Sequence, residues 1–254
     1  MRQSAIVVGV SSLPGLGHSI AKKFAMEGMK VGIVGRRAER LERAKNDIEA
    51  HPGVLHGMCA TRVCDAGQTQ ELHEALNSMM QKELADCRLS CLVFNASSRP
   101  FPLTPVMETP VERIAADHRT SALGFVSASQ WAVPIMQANE GGGTNDMTKG
   151  TIILTGATAS LRGSKNFGSF CQSKSAARSL CMSMAKELVN DGIHVAHVIV
   201  DGMVAIEREN GKTPSGGRFM DPDAIADSYV HLFRQPRSCL TFEMDARPHE
   251  VSQW

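Results

Sequence analysis

Residues 5–25 read AIVVGVSSLPGLGHSIAKKFA, and this stretch decides the fold. The β-branched run 5–10 suits a buried strand. From 17 to 28 the residues Ile20, Ala21, Phe24 and Ala25 recur at helical spacing. Gly9, Gly15 and Gly17 stand at the junction, so a strand hands over to a helix through a glycine turn. The same alternation continues outward. Strand-like runs at 31–34, 56–63, 89–95, 151–155 and 194–200 alternate with helical segments at 36–50, 68–84, 110–136 and 168–190. In the last of these Ala177, Cys181, Met184 and Leu188 mark an inward face. A final helix over 221–234 opens on Asp221-Pro222, a cap followed by proline in the first turn, and 239–244 can close the sheet. Such repetition requires right-handed crossovers and a parallel sheet covered on both faces. The fold class is therefore α/β, one doubly wound domain of about seven strands over 1–254. Two segments rich in glycine and charge interrupt it: 139–150 reads as a surface excursion, and 203–220 as a mobile flap beside the sheet's C-terminal edge.

Composition fits this domain and excludes several functions. With 254 residues, 43% hydrophobic and 21% charged, the chain can bury a core without disulfides or metals. Its 27 basic and 26 acidic residues give a net charge of +1, no footprint for nucleic acid or an anionic membrane. No apolar run approaches the roughly 20 residues that span a bilayer. The first strand begins almost at once, leaving no room for a signal peptide, so a cytoplasmic location is expected. The 7 cysteines are scattered and read as buried thiols rather than a zinc site. There is a single tyrosine, Tyr229.

Glycines at a strand-to-helix turn let backbone N–H groups approach a pyrophosphate at the helix N-terminus. Tight turns use glycine for other reasons, but placement directly after the first strand favours dinucleotide binding. Gly9, Ser11, Ser12, Gly15, Leu16 and Gly17 are the candidate contacts. At the end of the second strand an acidic residue usually holds a ribose 2′-hydroxyl. Gly35, Arg36 and Arg37 occupy that place instead. Guanidinium forks bind a 2′-phosphate that a carboxylate would repel, so NADP(H) is the expected cofactor. A solvated helix start is the plainer account, and it suits Arg37 better than Arg36.

With these residues the chain resembles the short-chain dehydrogenase/reductase family over nearly its whole length. The further points of likeness are Cys64-Asp65, Asn95-Ala96, Lys174 followed by Ser175-Ala176-Ala177, and the segment 185–195. The Gly9-to-Gly15 spacing follows the longer register of enoyl-acyl-carrier reductases in the same superfamily. The resemblance implies a Rossmann-like fold in which Asp65 contacts the adenine, Asn95 and Ala96 border the cofactor, and Lys174 binds the nicotinamide ribose. It also implies a homodimer or homotetramer through the helices at 110–136 and 168–190. Trp131, Met136, Met182 and Met184 can serve that contact or the core.

The catalytic positions depart from the family pattern. Phe170 stands where the family has its tyrosine, Ala157 where it has serine, and Ser121 where it has asparagine. The enoyl-reductase register lands on Phe167 instead. Asp201-Gly202 replaces a Pro-Gly pair, and Ile206 a threonine. A phenol made acidic by a neighbouring lysine can give the proton that carbonyl reduction needs, and a phenyl ring cannot. The substitutes are Lys174, Ser121, Thr158, Ser160 and His118. Ser169 and Cys171 flank Phe170 and are expected to point away; His194 and His197 are expected to be structural. Asp201 is either a charge at the sheet's ligand-binding edge or a turn cap. Two readings follow. One is an NADP(H)-dependent oxidoreductase transferring hydride to or from a small carbonyl, alcohol or activated double bond, with a non-standard acid/base arrangement. The other is a catalytically inactive NADP(H)-binding pseudoenzyme or redox sensor.

Overall fold

In the computed structural model, β1 (Arg2–Val8) is buried from Ser4 onward and passes through the glycine turn into α1 (Leu16–Met26). Residues 1–11, 13–98, 101–140, 148–206, 214 and 216–250 are described. The alternation proceeds through β2 (Lys30–Gly35), α2 (Ala38–Ala50), β3 (Cys59–Val63), α3 (Thr69–Gln81) and β4 (Cys87–Phe94). Then come α4 (Val111–His118), α5 (Gly124–Gln137), β5 (Gly150–Ala157), α6 (Gly168–Leu188) and β6 (Ile193–Val200). A short pair, β7 (Met203–Val204) and β8 (Phe219–Met220), precedes α7 (Pro222–Arg234) and the edge strand β9 (Glu243–Ala246). Seven strands pair in parallel in the order β3-β2-β1-β4-β5-β6-β9. The order reverses between β1 and β4, so their carboxyl ends open a crevice, the usual ligand position in such sheets.

One core lies between the sheet and α1, α2 and α7, where Phe24 meets Phe233 edge-on at 5.6 Å. The other lies under α3, α5 and α6. The periodicity of α1 and α6 is borne out: Ile20, Ala21, Phe24, Ala25, Ala177 and Cys181 are buried, with Met184 and Leu188 packed against the second core. Asp221 caps α7 by accepting from Asp223 N. Trp131 and Met136 belong to the core, and the Trp131 indole donates to Asn77. No helix among the described residues is long and apolar enough to cross a membrane.

Several expectations need correction. The helix expected over 110–136 is a rod interrupted by a π-helical turn, Arg119–Leu123. Just beyond that turn Gly124 presses on the loop after β3: a Cβ there would lie 2.4 Å from the Ala66 carbonyl. The third strand starts at Cys59 rather than 56, because Gly57 turns the chain with φ of +79°. The closing strand starts at Glu243 rather than 239. A turn from Cys239 N to Pro236 O, and capture of Thr241 N by the Gln235 side chain, hold the earlier residues off the sheet. Six cysteines are buried as expected, but Cys239 is exposed. Residues 141–147 of the expected surface excursion, and 207–213 and 215 of the expected flap, lie outside the described residues.

Candidate active site

The crevice is built from glycines that let three strands' ends converge. Gly9 adopts φ of +107°, and a Cβ on it would lie 2.3 Å from Ala96 N. A Cβ on Gly17 would meet the Gly9 carbonyl at 2.6 Å and Asn95 Nδ2 at 2.9 Å. Asn95 Nδ2 donates to Gly9 O at 2.8 Å, while Gly9 N and Val10 N both donate to Val34 O. The turn is thereby fastened to β2 and β4. Gly15, in extended conformation, begins α1; no described side chain caps that end, and its first turn holds no acidic residue. Unpaired N–H groups at a helix start are an anion site, and this one, at the end of a turn that Gly9 and Gly17 let close against β4, suits a pyrophosphate. Leu16 is the first residue of that helix.

Beside it lies a cavity of about 160 Å³ walled by Gly9, Ser11, Gly35, Arg36, Arg37, Asp65, Asn95 and Ala96 among others. Arg36 is exposed at its rim. Arg37 Nη2 and Arg40 Nη1 both donate to the Ser11 carbonyl, at 3.1 and 2.7 Å. Sequence reasoning passed over Arg40, whose helical position gave no sign of that contact. Asp65 accepts from Gly67 N at 2.9 Å, which orients its carboxylate on the wall. Ser12 lies outside the described residues.

A second cavity, about 520 Å³, opens where β5 and β6 end. It brings together Ala157, Thr158, Phe167, Phe170, Cys171, Asp201, Gly202, Met203, Arg218 and Glu250. Phe167, Phe170 and Cys171 share one face at the start of α6, the i, i+3, i+4 relation of a helix. Cys171 was expected to point away and instead lines this space, whereas Ser169 is drawn off by Asp117, to which its hydroxyl donates. Thr158 Oγ1 donates to Asp201 Oδ1. Arg247 Nε stands 3.4 Å from the other Asp201 oxygen and is itself held by Asp245 at 2.6 Å.

Lys174 is buried one helical turn beyond Phe170, with Nζ 5.9 Å from that ring's centroid. Nζ donates to the Thr155 carbonyl at 2.9 Å. Burial pushes its pKa down from 10.5 to about 8. The Thr155 hydroxyl meets the Tyr229 hydroxyl at 2.8 Å in the opposite core, where burial raises the phenol's pKa. The one tyrosine is therefore no donor to the cavity. Ser121 is buried on the π-helical turn with its hydroxyl unpartnered among described residues, and it lines neither cavity. His118 contacts Gln172, His194 the Thr241 carbonyl, and His197 Glu243, which also takes both forks of Arg178. Ser160 Oγ accepts from Ala157 N. No described group of His, Cys, Asp and Glu is arranged to hold a metal ion.

The Lys174 shift carries a stability consequence. Its folded pKa lies below its unfolded one, so between about 8 and 10.5 the unfolded chain binds more protons and stability rises with pH. Lys174→Met is expected to stabilise the fold at pH 7 by about 2 kcal/mol, after allowance for the lost donor to Thr155. The gain should vanish above pH 10.5, where both states are neutral. Urea denaturation at the two pH values measures it, and an equal effect at both would refute the account.

The chain matches the family model for short chain dehydrogenase over residues 3–212. A short-chain dehydrogenase from Rhodopseudomonas palustris is 31% identical and superposes with a TM-score of 0.78, over 97% of this chain and 99% of that one. An alcohol dehydrogenase from the archaeon Thermococcus sibiricus, solved with 5-hydroxy-NADP, shares the fold with a TM-score of 0.81 at 17% identity, with 100% of each chain covered. Oxidoreductase asL5 of Sarocladium schorii is 28% identical over 205 residues, 81% of this chain and 73% of its own length.

Proposed function

The chain belongs to the short-chain dehydrogenase family, and from that premise we propose an NADP(H)-dependent oxidoreductase whose proton chemistry runs without the family's phenol. It transfers a hydride to or from a small carbonyl, alcohol or activated double bond. The observation that carries this reading is the glycine cradle with an arginine, not a carboxylate, at its ribose end. Gly9, Ser11, Gly15, Leu16 and Gly17 would admit the pyrophosphate, Arg36 and Arg37 the 2′-phosphate, and Asp65 the adenine. Asn95 and Ala96 would border the ribose, and Lys174, Asp201 and Gly202 the nicotinamide end. When bound, the nicotinamide supplies or accepts the hydride. The archaeal relative solved with 5-hydroxy-NADP supports a dinucleotide of this kind in the same fold.

The protein's own part is proton handling and exclusion of water. Phe170, Phe167 and Ala157 give the cavity an apolar wall, and Thr158, Asp201, Arg218 and Glu250 supply its polar groups. Lys174, with a pKa near 8, can hold or release a proton close to neutrality, though its present bond points it at Thr155. Thr158 is the hydroxyl beside the vacant serine position. Assembly into a homodimer or homotetramer belongs to the same proposal; Leu123, Leu180 and Val189 are exposed on or beside the helices involved, and light scattering tests it.

Fluorescence titration should show NADPH bound more tightly than NADH. Arg36→Ala is expected to weaken NADPH about 10–100-fold, the worth of a charge-assisted hydrogen bond, and to leave NADH affinity unchanged. Equal weakening of both would place Arg36 away from the 2′-phosphate. Turnover is read with NADPH against activated carbonyls and enones, and with NADP+ against alcohols. Binding without turnover in any of these would leave the inactive nucleotide-binding alternative.

A further inference from the structure

We propose that Thr158 and Asp201 form the proton-accepting pair of an alcohol oxidation, an inference that rests on the oxidoreductase reading above. Thr158 opens the turn after β5, and Asp201 follows β6; both face the 520 Å³ cavity together with Phe170 and Ala157. A hydroxyl has one hydrogen and two acceptor lone pairs, and an ionised carboxylate only accepts. Thr158 commits its hydrogen to Asp201 Oδ1. What it presents to the cavity is therefore lone pairs. With Asp201 ionised, that arrangement accepts from a substrate hydroxyl rather than donating to an alkoxide. The matching ligand is an alcohol whose carbon carries a hydrogen.

One neighbouring charge holds the carboxylate of the pair. Arg247, anchored by Asp245, stands 3.4 Å from Asp201 Oδ2. Arg218 and Glu250 line the same cavity, and Lys174 is turned to the Thr155 carbonyl. In the step, the alcohol proton passes to Thr158 Oγ1 while the Thr158 proton passes to the Asp201 carboxylate. The alcohol C–H bond breaks, and its electron pair leaves as hydride to the oxidised nicotinamide dinucleotide. A carbonyl product and the reduced dinucleotide result, and the Asp201 carboxylic acid returns its proton to solvent.

Two readouts test this, one without cofactor. In ¹⁹F NMR titrations of the cofactor-free protein, 1-(4-fluorophenyl)ethanol should bind about tenfold more tightly than 4′-fluoroacetophenone, the loss of one hydrogen bond. Thr158→Val, which keeps the shape, should abolish that preference, and Thr158→Ser should keep it. With NADP+ and the same alcohol, Asp201→Asn should lower kcat at least about 100-fold with little change in KM, as for loss of a general base. Thr158→Val should do likewise, and Thr158→Ser should recover most of kcat. Equal affinity for alcohol and ketone in the wild type, or an unchanged kcat in Asp201→Asn and Thr158→Val, overturns the pair while leaving the oxidoreductase reading intact. Failure of the wild type to transfer hydride in either direction overturns both, and shows before any variant is made.

Discussion

Phe170→Tyr combined with Ala157→Ser is expected to raise NADPH-dependent reduction of 4′-fluoroacetophenone at least about 100-fold in kcat/KM. The two positions face one cavity, and Phe170 already lies within reach of the Lys174 ammonium, 5.9 Å from ring centroid to Nζ. A phenol there has an ordinary pKa near 10, which a neighbouring ammonium lowers toward neutrality. In turn the phenolate would hold Lys174 charged, countering the burial that now pushes it down. Serine at 157 adds a donor beside the carbonyl oxygen, where negative charge develops. Each single substitution should give less than the pair, because the phenol supplies the proton and the serine the stabilisation. Once the phenol carries the proton, Asp201→Asn should matter far less than in the parent. A folded, NADPH-binding double variant without the rise would show that the chemistry does not use these positions.

How much of this was legible in the sequence follows the range of the forces involved. The glycine turn, α1's inward face and the Asp221 cap are local: a few adjacent residues determine them, and each is found where the pattern puts it. The parallel pairing of the sheet came from the alternation, since parallel strands need crossovers; the order of the strands did not. Placement of Phe170 and Ala157 against one space was readable only through the family resemblance, which sets both beside Lys174. Contacts between distant segments were not. Nothing adjacent to Lys174 shows that its Nζ ends on a β5 carbonyl 19 residues away. Asp201's partners come from Thr158 on one side and Arg247 on the other, 43 residues back from it and on beyond β9. Arg40 reaches Ser11 across 29 residues because α2 packs over the turn. The edge strand was misplaced because its early residues look β-prone, while a glutamine side chain takes the amide that a sheet would need.

Gly9→Ala is expected to destabilise the protein by about 3 kcal/mol or more and to remove NADPH binding. Two separate penalties act at this residue. Its φ of +107° lies where L side chains are strained, and a Cβ would fall 2.3 Å from Ala96 N and 2.7 Å from the Asn95 carbonyl carbon. Those atoms are backbone at the end of β4, so they cannot swing aside as a flexible side chain would. Moving them breaks the Asn95 bond to Gly9 O and loosens both amides held by Val34 O. The crevice widens, and the α1 amides lose their alignment with any diphosphate. Gly28 provides the contrast. It too has positive φ, +80°, yet nothing lies within 4 Å of its would-be Cβ. Gly28→Ala should therefore cost only the left-handed strain, about 1 kcal/mol, and leave NADPH affinity unchanged. Denaturation midpoints and NADPH titrations of the two variants separate steric closure from backbone preference. Similar losses in both would mean that strain alone governs the turn, and that the convergence of β1 with β4 does not shape the nucleotide site.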